Sequence, residues 1–160
     1  MRVSSHLAFS CVAVLLLAGP AAAWVKVNFA DRKRFVDANL RGVDVVKDLR
    51  TYFQRLGSRL DRGVDLNVTV LDIDAAGFDM STRGPSNHRV LSGATWPKIK
   101  LRYALTRNGK VVASGEGWIT DRVYRAHAGM ASSSDPLRYE KNMLDDWFSA
   151  RFASHMRNGG

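Results

Sequence analysis

Cysteine is almost absent from this chain. The one copy, Cys11, lies near the start. A domain beginning after residue 23 therefore has no disulfide, no thiol nucleophile and no cysteine-ligated metal, and packing alone must hold it. Catalytic signatures are missing too. Gly-x-Ser-x-Gly, Ser-x-x-Lys and His-Glu-x-x-His do not occur, and neither does the calcium-loop pattern. Gly115 and Gly117 stand inside a strand pattern rather than between a strand and a helix, which excludes a phosphate-cradling loop. There are no internal repeats and no low-complexity tract. Acidic residues are few beside basic ones, 15 against 24, for a formal charge of +9. That sign suits anionic lipid headgroups, acidic glycans or acidic proteins. Spread evenly, the same residues make an ordinary cationic surface.

What is present begins with a leader. Arg2 supplies a positive n-region, residues 7–18 (LAFSCVAVLLLA) an apolar core, and Gly19 and Pro20 a break. Ala21, Ala22 and Ala23 then offer the small residues that a signal peptidase needs. The apolar core is too short for a lasting membrane anchor. No lipobox-like Leu-Ala-Gly precedes Cys11, so no lipid anchor is expected there. No twin-arginine pair precedes the apolar core, which points to a Sec-type route. The expectation is a cleaved signal peptide over 1–23 and a single domain over 24–157, soluble in the periplasm, with no transmembrane segment and with nucleic acid disfavoured as a partner by that compartment.

Apolar periodicity predicts the elements. Residues 24–29 (WVKVNF) alternate as a strand. Val45, Val46, Leu49, Tyr52, Phe53, Leu56 and Leu60 keep helical spacing over about 43–60, and Gly63 suits a helix stop. Residues 65–74 (DLNVTVLDID) are a strand rich in β-branched residues. Residues 75–87 form a loop and 88–92 a possible short edge strand. The clearest signal is an Asn108-Gly109 hairpin over 97–119. A plain two-residue loop sets Leu105 opposite Val112, Tyr103 opposite Ser114, Leu101 opposite Glu116 and Ile99 opposite Trp118. A second helix over 136–156 starts from Asp135 as N-cap and Pro136 as first residue, with Leu137, Met143, Leu144, Trp147, Phe148 and Phe152 on its apolar face. The fold class is α+β: a small antiparallel or mixed sheet of four or five strands with both helices on one face.

Several side chains stand out chemically. Lys98, Lys100 and Arg102 share one face of the hairpin and form the preferred contact surface for an anionic partner. Asp72 and Asp74 point the same way from a strand. With Asp121 at the end of another strand, and with His127, they are the set that a metal site or a hydrolase would use. The simpler reading has them capping turns. If the strand stays regular they continue its apolar face; a bulge near Val70 and Leu71 turns both outward and Ile73 inward. The hairpin register places Glu116 on the apolar face, where an unpaired carboxylate is costly. Either a bulge turns it out or a cation meets it, with Arg89, Lys141 and Arg138 as candidates and a pair with Lys141 or Arg89 as the expected structural link. His88, His127 and His155 are far apart in sequence. Tyr139, Met143 and Trp147 read as one core stripe. Tyr124 and Trp96, near loops, line a pocket mouth or are simply half-buried. No metal and no cofactor is expected.

The motifs fall in an order that resembles a known family. They are Val27-x-Phe29, Phe35-x-Asp37, residues 71–77 (LDIDAAG), Arg89-Val90, Pro97-Lys98-Ile99, Gly109-x-Val111, Gly115-x-Gly117 with Asp121, and Tyr139-Glu140-Lys141 through Leu144-Asp145-Asp146-Trp147-Phe148. Together they are similar to the exported proteobacterial family known as domain of unknown function 3016, over nearly all of the chain beyond residue 23. Val36, Ala75 and Lys98 depart from its usual Thr, Leu and Arg. The resemblance implies a proteobacterial, periplasmic protein and supplies no activity. The reading of the residues is a non-enzymatic binding or accessory module of the cell envelope. The alternative is an envelope hydrolase or metal-binding protein built on Asp72, Asp74 and Asp121.

Overall fold

The computed structural model describes residues 23–30, 35, 43–79, 89–91, 93–127 and 129–157. Strand β1 (Val25–Phe29) leads to helix α1 (Val45–Gly57) and strand β2 (Val64–Asp74). A short ladder of β3 (Phe78–Asp79) and β4 (Arg89–Val90) follows, then β5 (Lys98–Arg107), β6 (Lys110–Thr120) and helix α2 (Arg138–Phe152). The main sheet has the order β1-β2-β5-β6. β1 is parallel to β2 across the α1 crossover, and the other two pairs are antiparallel. The sheet is mixed, and side chains of both helices join its inner face in one core, so the fold is the expected α+β. Of the expected strand at 88–92, residues 89 and 90 form β4, which pairs with β3 rather than with the main sheet. Among the described residues no helix is long and apolar enough to cross a membrane.

Helix α1 buries Val45, Val46, Leu49, Tyr52, Phe53 and Leu56, the predicted stripe. Asp44 caps it, its Oδ1 accepting from the Lys47 N–H at 3.0 Å, which satisfies one orphan donor of the first turn. The helix ends at Gly57, where a Cβ would lie 1.8 Å from Val25 Cγ2. The missing side chain lets the last turn close on β1. Gly63 is not the helix stop; with φ 74 it forms the turn into β2.

Helix α2 begins two residues later than predicted. Asp135 still caps the turn, accepting from the Leu137 N–H at 2.8 Å and from Lys141 Nζ at 2.6 Å. Leu144, Phe148 and Phe152 are fully buried, each stabilising the fold by about 1.5–3 kcal/mol. Phe148 and Phe152 meet edge to face at 5.0 Å, and Tyr103 joins the cluster at 5.5 Å from Phe152. Beyond α2 the chain is tied back to the end of α1, with the Arg157 N–H bonded to the Arg59 carbonyl at 2.9 Å.

Two bulges set the faces of the sheet. In β2 the register shifts between Val70 and Asp72, so Ile73 is buried and both aspartates face outward, the second of the two alternatives. In the β5–β6 hairpin the turn is as expected, Asn108 and Gly109 both having positive φ. The register then shifts next to Leu105, leaving Val112 as the extra residue: Leu105 faces Ala113, Tyr103 faces Gly115, Leu101 faces Gly117 and Ile99 faces Ile119. The plain two-residue register is therefore overturned. One extra residue exchanges the two faces of a strand. It brings Ala113, Gly115, Gly117 and Ile119 inward and sends Glu116 and Trp118 outward, away from the cost of a buried carboxylate.

Candidate functional site

The outward flip of Glu116 decides its partner. It faces Arg102 across the hairpin. Arg102 donates to Glu116 Oε2 from Nε at 2.8 Å and Nη2 lies at 2.7 Å, while Lys100 Nζ stands 3.7 Å from Oε1. The Arg102 hydrogen bond, with the charges of Arg102 and Lys100, holds the Glu116 carboxyl below its ordinary value. Of the two expected partners, Lys141 does not meet Glu116. Lys141 bonds Asp135 and approaches Asp48 at 4.0 Å, and the Arg89 side chain lies outside the described residues, as does His88.

Lys98, Lys100 and Arg102 do share the outer face of the sheet, because they alternate with the buried Ile99, Leu101 and Tyr103. Lys98 is paired with Asp74, and Asp72 lies across from Lys100 with its Oδ1 accepting from the Ile73 N–H at 2.8 Å. The ridge is thus a lattice of alternating charge rather than a purely basic strip. It is extended by residues that sequence reasoning did not place there. Lys98 Nζ sits 5.7 Å from the Trp96 ring and 5.8 Å from the Trp118 ring, and the Arg122 guanidinium lies 4.9 Å from Trp96. Trp118 is 49% exposed, and Arg122 makes no ion pair among the described residues. A depression of about 520 Å³ adjoins Arg102 and Glu116, its small side chains being Ala104 and Ser114. Trp96 had a legible signal, since it continues the two-residue period of Lys98, Lys100 and Arg102. Trp118 and Arg122 did not, since one depends on the bulge and the other lies beyond the strand.

On the inner side, between β6 and α2, runs a groove of about 730 Å³. Leu101 and Tyr103 form its floor, Met143 and Trp147 one wall, and the bare backbone of Gly115 and Gly117 the other. A Cβ on Gly115 would meet the Tyr103 ring at 3.0 Å, whereas one on Gly117 would meet nothing within 4 Å. Gly115 seats the tyrosine; Gly117 leaves open space. Arg151 donates to the Tyr103 hydroxyl near one end. At the other end His127 Nε2 lies 2.7 Å from Asp121 Oδ2, and Asp121 Oδ1 accepts from the Val123 N–H at 2.9 Å. Asp121 and His127 therefore meet, as the hydrolase alternative requires, but Asp72 and Asp74 are on the opposite face of the sheet. Among the described residues no three metal-capable side chains gather. Trp147, expected in the core, is half-buried and lines this groove, while Tyr139 and Met143 of the same stripe are buried.

The two segments with the most specific sequence pattern also meet. The Ala76 N–H donates to Glu140 Oε1 at 3.0 Å, with Glu140 fully buried. Gly77 N–H donates to Thr95 Oγ1 at 2.9 Å. Tyr124 does not line a pocket mouth; it is buried edge to face on Tyr139 at 4.9 Å. The loop after β2 is thereby locked to the first turn of α2, and the segment with Thr95 and Trp96 that leads into β5 is held beside it.

No curated protein matches the chain. A family match covers residues 23–150, taking in both sheet faces, the groove and nearly all of α2. The chain belongs to that family, described as protein of unknown function (DUF3016).

Proposed function

We propose that this protein is a binding module of the cell envelope, exported by its leader to the periplasm and not itself an enzyme, and that it meets an anionic partner through the outer face of the sheet. The observation that carries the reading is the open row Arg122, Trp96, Lys98, Trp118, continued by Lys100 and Arg102 around Glu116. The exposed Trp118 ring and the half-buried Trp96 ring between cations offer stacking area and charge together. Lys98, Lys100, Arg102 and Trp118 stand on the paired strands β5 and β6, with Trp96 and Arg122 just beyond their ends. Arg122 adds a cation that no carboxylate among the described residues offsets.

The test is capture from an envelope extract on immobilised protein. Neutralising Lys98, Lys100 and Arg102 to Gln should abolish retention of the partner. Arg122→Gln should weaken it without releasing any internal carboxylate. Retention unchanged in both variants would remove this face from consideration. A second reading is favoured by one observation, the Asp121–His127 pair inside the groove. A carboxylate that orients an imidazole is the arrangement of a general base. Under that reading the protein hydrolyses p-nitrophenyl esters and His127→Asn abolishes the activity. The binding reading expects no turnover by either.

A further inference from the structure

β6 is an edge strand: β5 lies on one side, and among the described residues no strand lies on the other. It is also where exposed apolar side chains collect. Of the large apolar residues exposed among the described residues, Val111, Val112 and Trp118 are on β6 and Val123 follows it, leaving only Trp24 elsewhere. A long open edge with apolar side chains pairs with another chain unless it is protected. Here the bulge at Val112 leaves 113–120 regular, and Glu116 is already neutralised by Arg102.

We propose that the partner of this edge is a second copy of the same chain, paired antiparallel through β6 about a two-fold axis at Gly115. The edge is complementary to itself only in that direction. Lys110 opens the strand and Asp121 follows its end, so antiparallel pairing brings unlike charges together at both ends, whereas parallel pairing sets Lys110 beside its own copy. With Gly115 on the axis, Ser114 faces Glu116 of the second copy and Ala113 faces its Gly117. The bulge at Val112 then carries the exposed Val111 opposite the exposed Trp118 of the second copy, twice by symmetry. Lys110 falls opposite Ile119, one diagonal step from Asp121, within reach of a long side chain. Small residues at 113, 115 and 117 keep the inner side of the junction free of clashes. The sheet grows to eight strands, and the outer face becomes continuous across the axis. This inference is independent of what the outer face binds.

Sedimentation equilibrium tests it on the chain as the producing cell processes it. The wild type should sediment at twice the monomer mass. Val111→Glu and Trp118→Lys should each sediment as monomers with unchanged circular dichroism. An equimolar mixture of the two should regain a dimer, because it restores one Val–Trp contact and makes one Glu–Lys contact. Val123→Lys, exposed but beyond the strand, should remain dimeric. A wild type that is monomeric at every concentration, or a dimer that survives both edge variants, overturns the proposal. So does a mixture that stays monomeric, because that would rule out the register.

Discussion

Two glycines mark the difference between the halves of the sheet. At Gly57 an added Cβ would lie 1.8 Å from Val25, and at Gly117 it would meet nothing within 4 Å. The β1–β2 half is closed by α1, with Leu49, Phe53 and Leu56 buried against it. The β5–β6 half meets α2 through Tyr103 against Trp147 and Phe152, with an open groove between α2 and β6. One half is packed to hold the fold. The other leaves an edge, a groove and a charged aromatic face accessible, and every candidate contact surface lies there.

That contrast can be broken from the closed side first. Phe53→Ala, which empties a fully buried site on α1, should cost about 3–5 kcal/mol, read as a lower urea midpoint. Gly57→Val should cost about 1–3 kcal/mol through overpacking against Val25; equal stability would mean that α1 can withdraw from β1. Asp44→Ala removes the α1 cap and should cost about 1 kcal/mol, in the same denaturation experiment. Gly117→Val is the counterpart on the open side. It fills the groove and adds a β-branched residue to a strand, so stability should hold or rise by less than about 1 kcal/mol. A loss as large as that at Gly57 would show the groove to be closed in solution.

The smallest effect sharpens the outer face. Glu116 is held below its ordinary value of 4.5 by the Arg102 hydrogen bond and by the neighbouring charges of Arg102 and Lys100. Its folded value lies below its unfolded one, so its contribution is fully present above about pH 4.5 and disappears as pH falls through the lower folded value. Carboxyl NMR should show Glu116 titrating below 4.5 in the wild type and returning to the ordinary range in Arg102→Gln. Titration at the ordinary value in both would dissolve the Arg102–Glu116 pair.

The elements were legible because each rests on local chemistry. The α1 stripe follows from helical spacing, β5 from strict alternation and the hairpin turn from Asn108-Gly109, whose positive φ values that pair tolerates. Asp135 was legible as a cap although the helix starts later. The candidate site was legible only in part. Lys98, Lys100 and Arg102 could be grouped because they share a strand without an interruption. Asp121 and His127 could be named but not joined, since their contact depends on the turn after β6. The plain hairpin register puts Glu116 on the apolar face, and the bulge named as its alternative could not be located, because nothing in residues 110–116 marks Val112 as the extra residue.

Composition and periodicity alone determined the α+β class, the two amphipathic helices, the hairpin and the absence of thiol chemistry beyond residue 23, since each depends on residues near in sequence. The tertiary structure alone decided which face each side chain of β2 and β6 occupies, and with it the Glu116–Arg102 pair, the Trp96–Lys98–Trp118 row and the groove under β6. The physical reason is the pair of bulges. Their positions are set by which cross-strand pairing best buries Ile73 and Ile119 while keeping Asp72, Asp74 and Glu116 in water, a comparison that exists only once the strands are side by side.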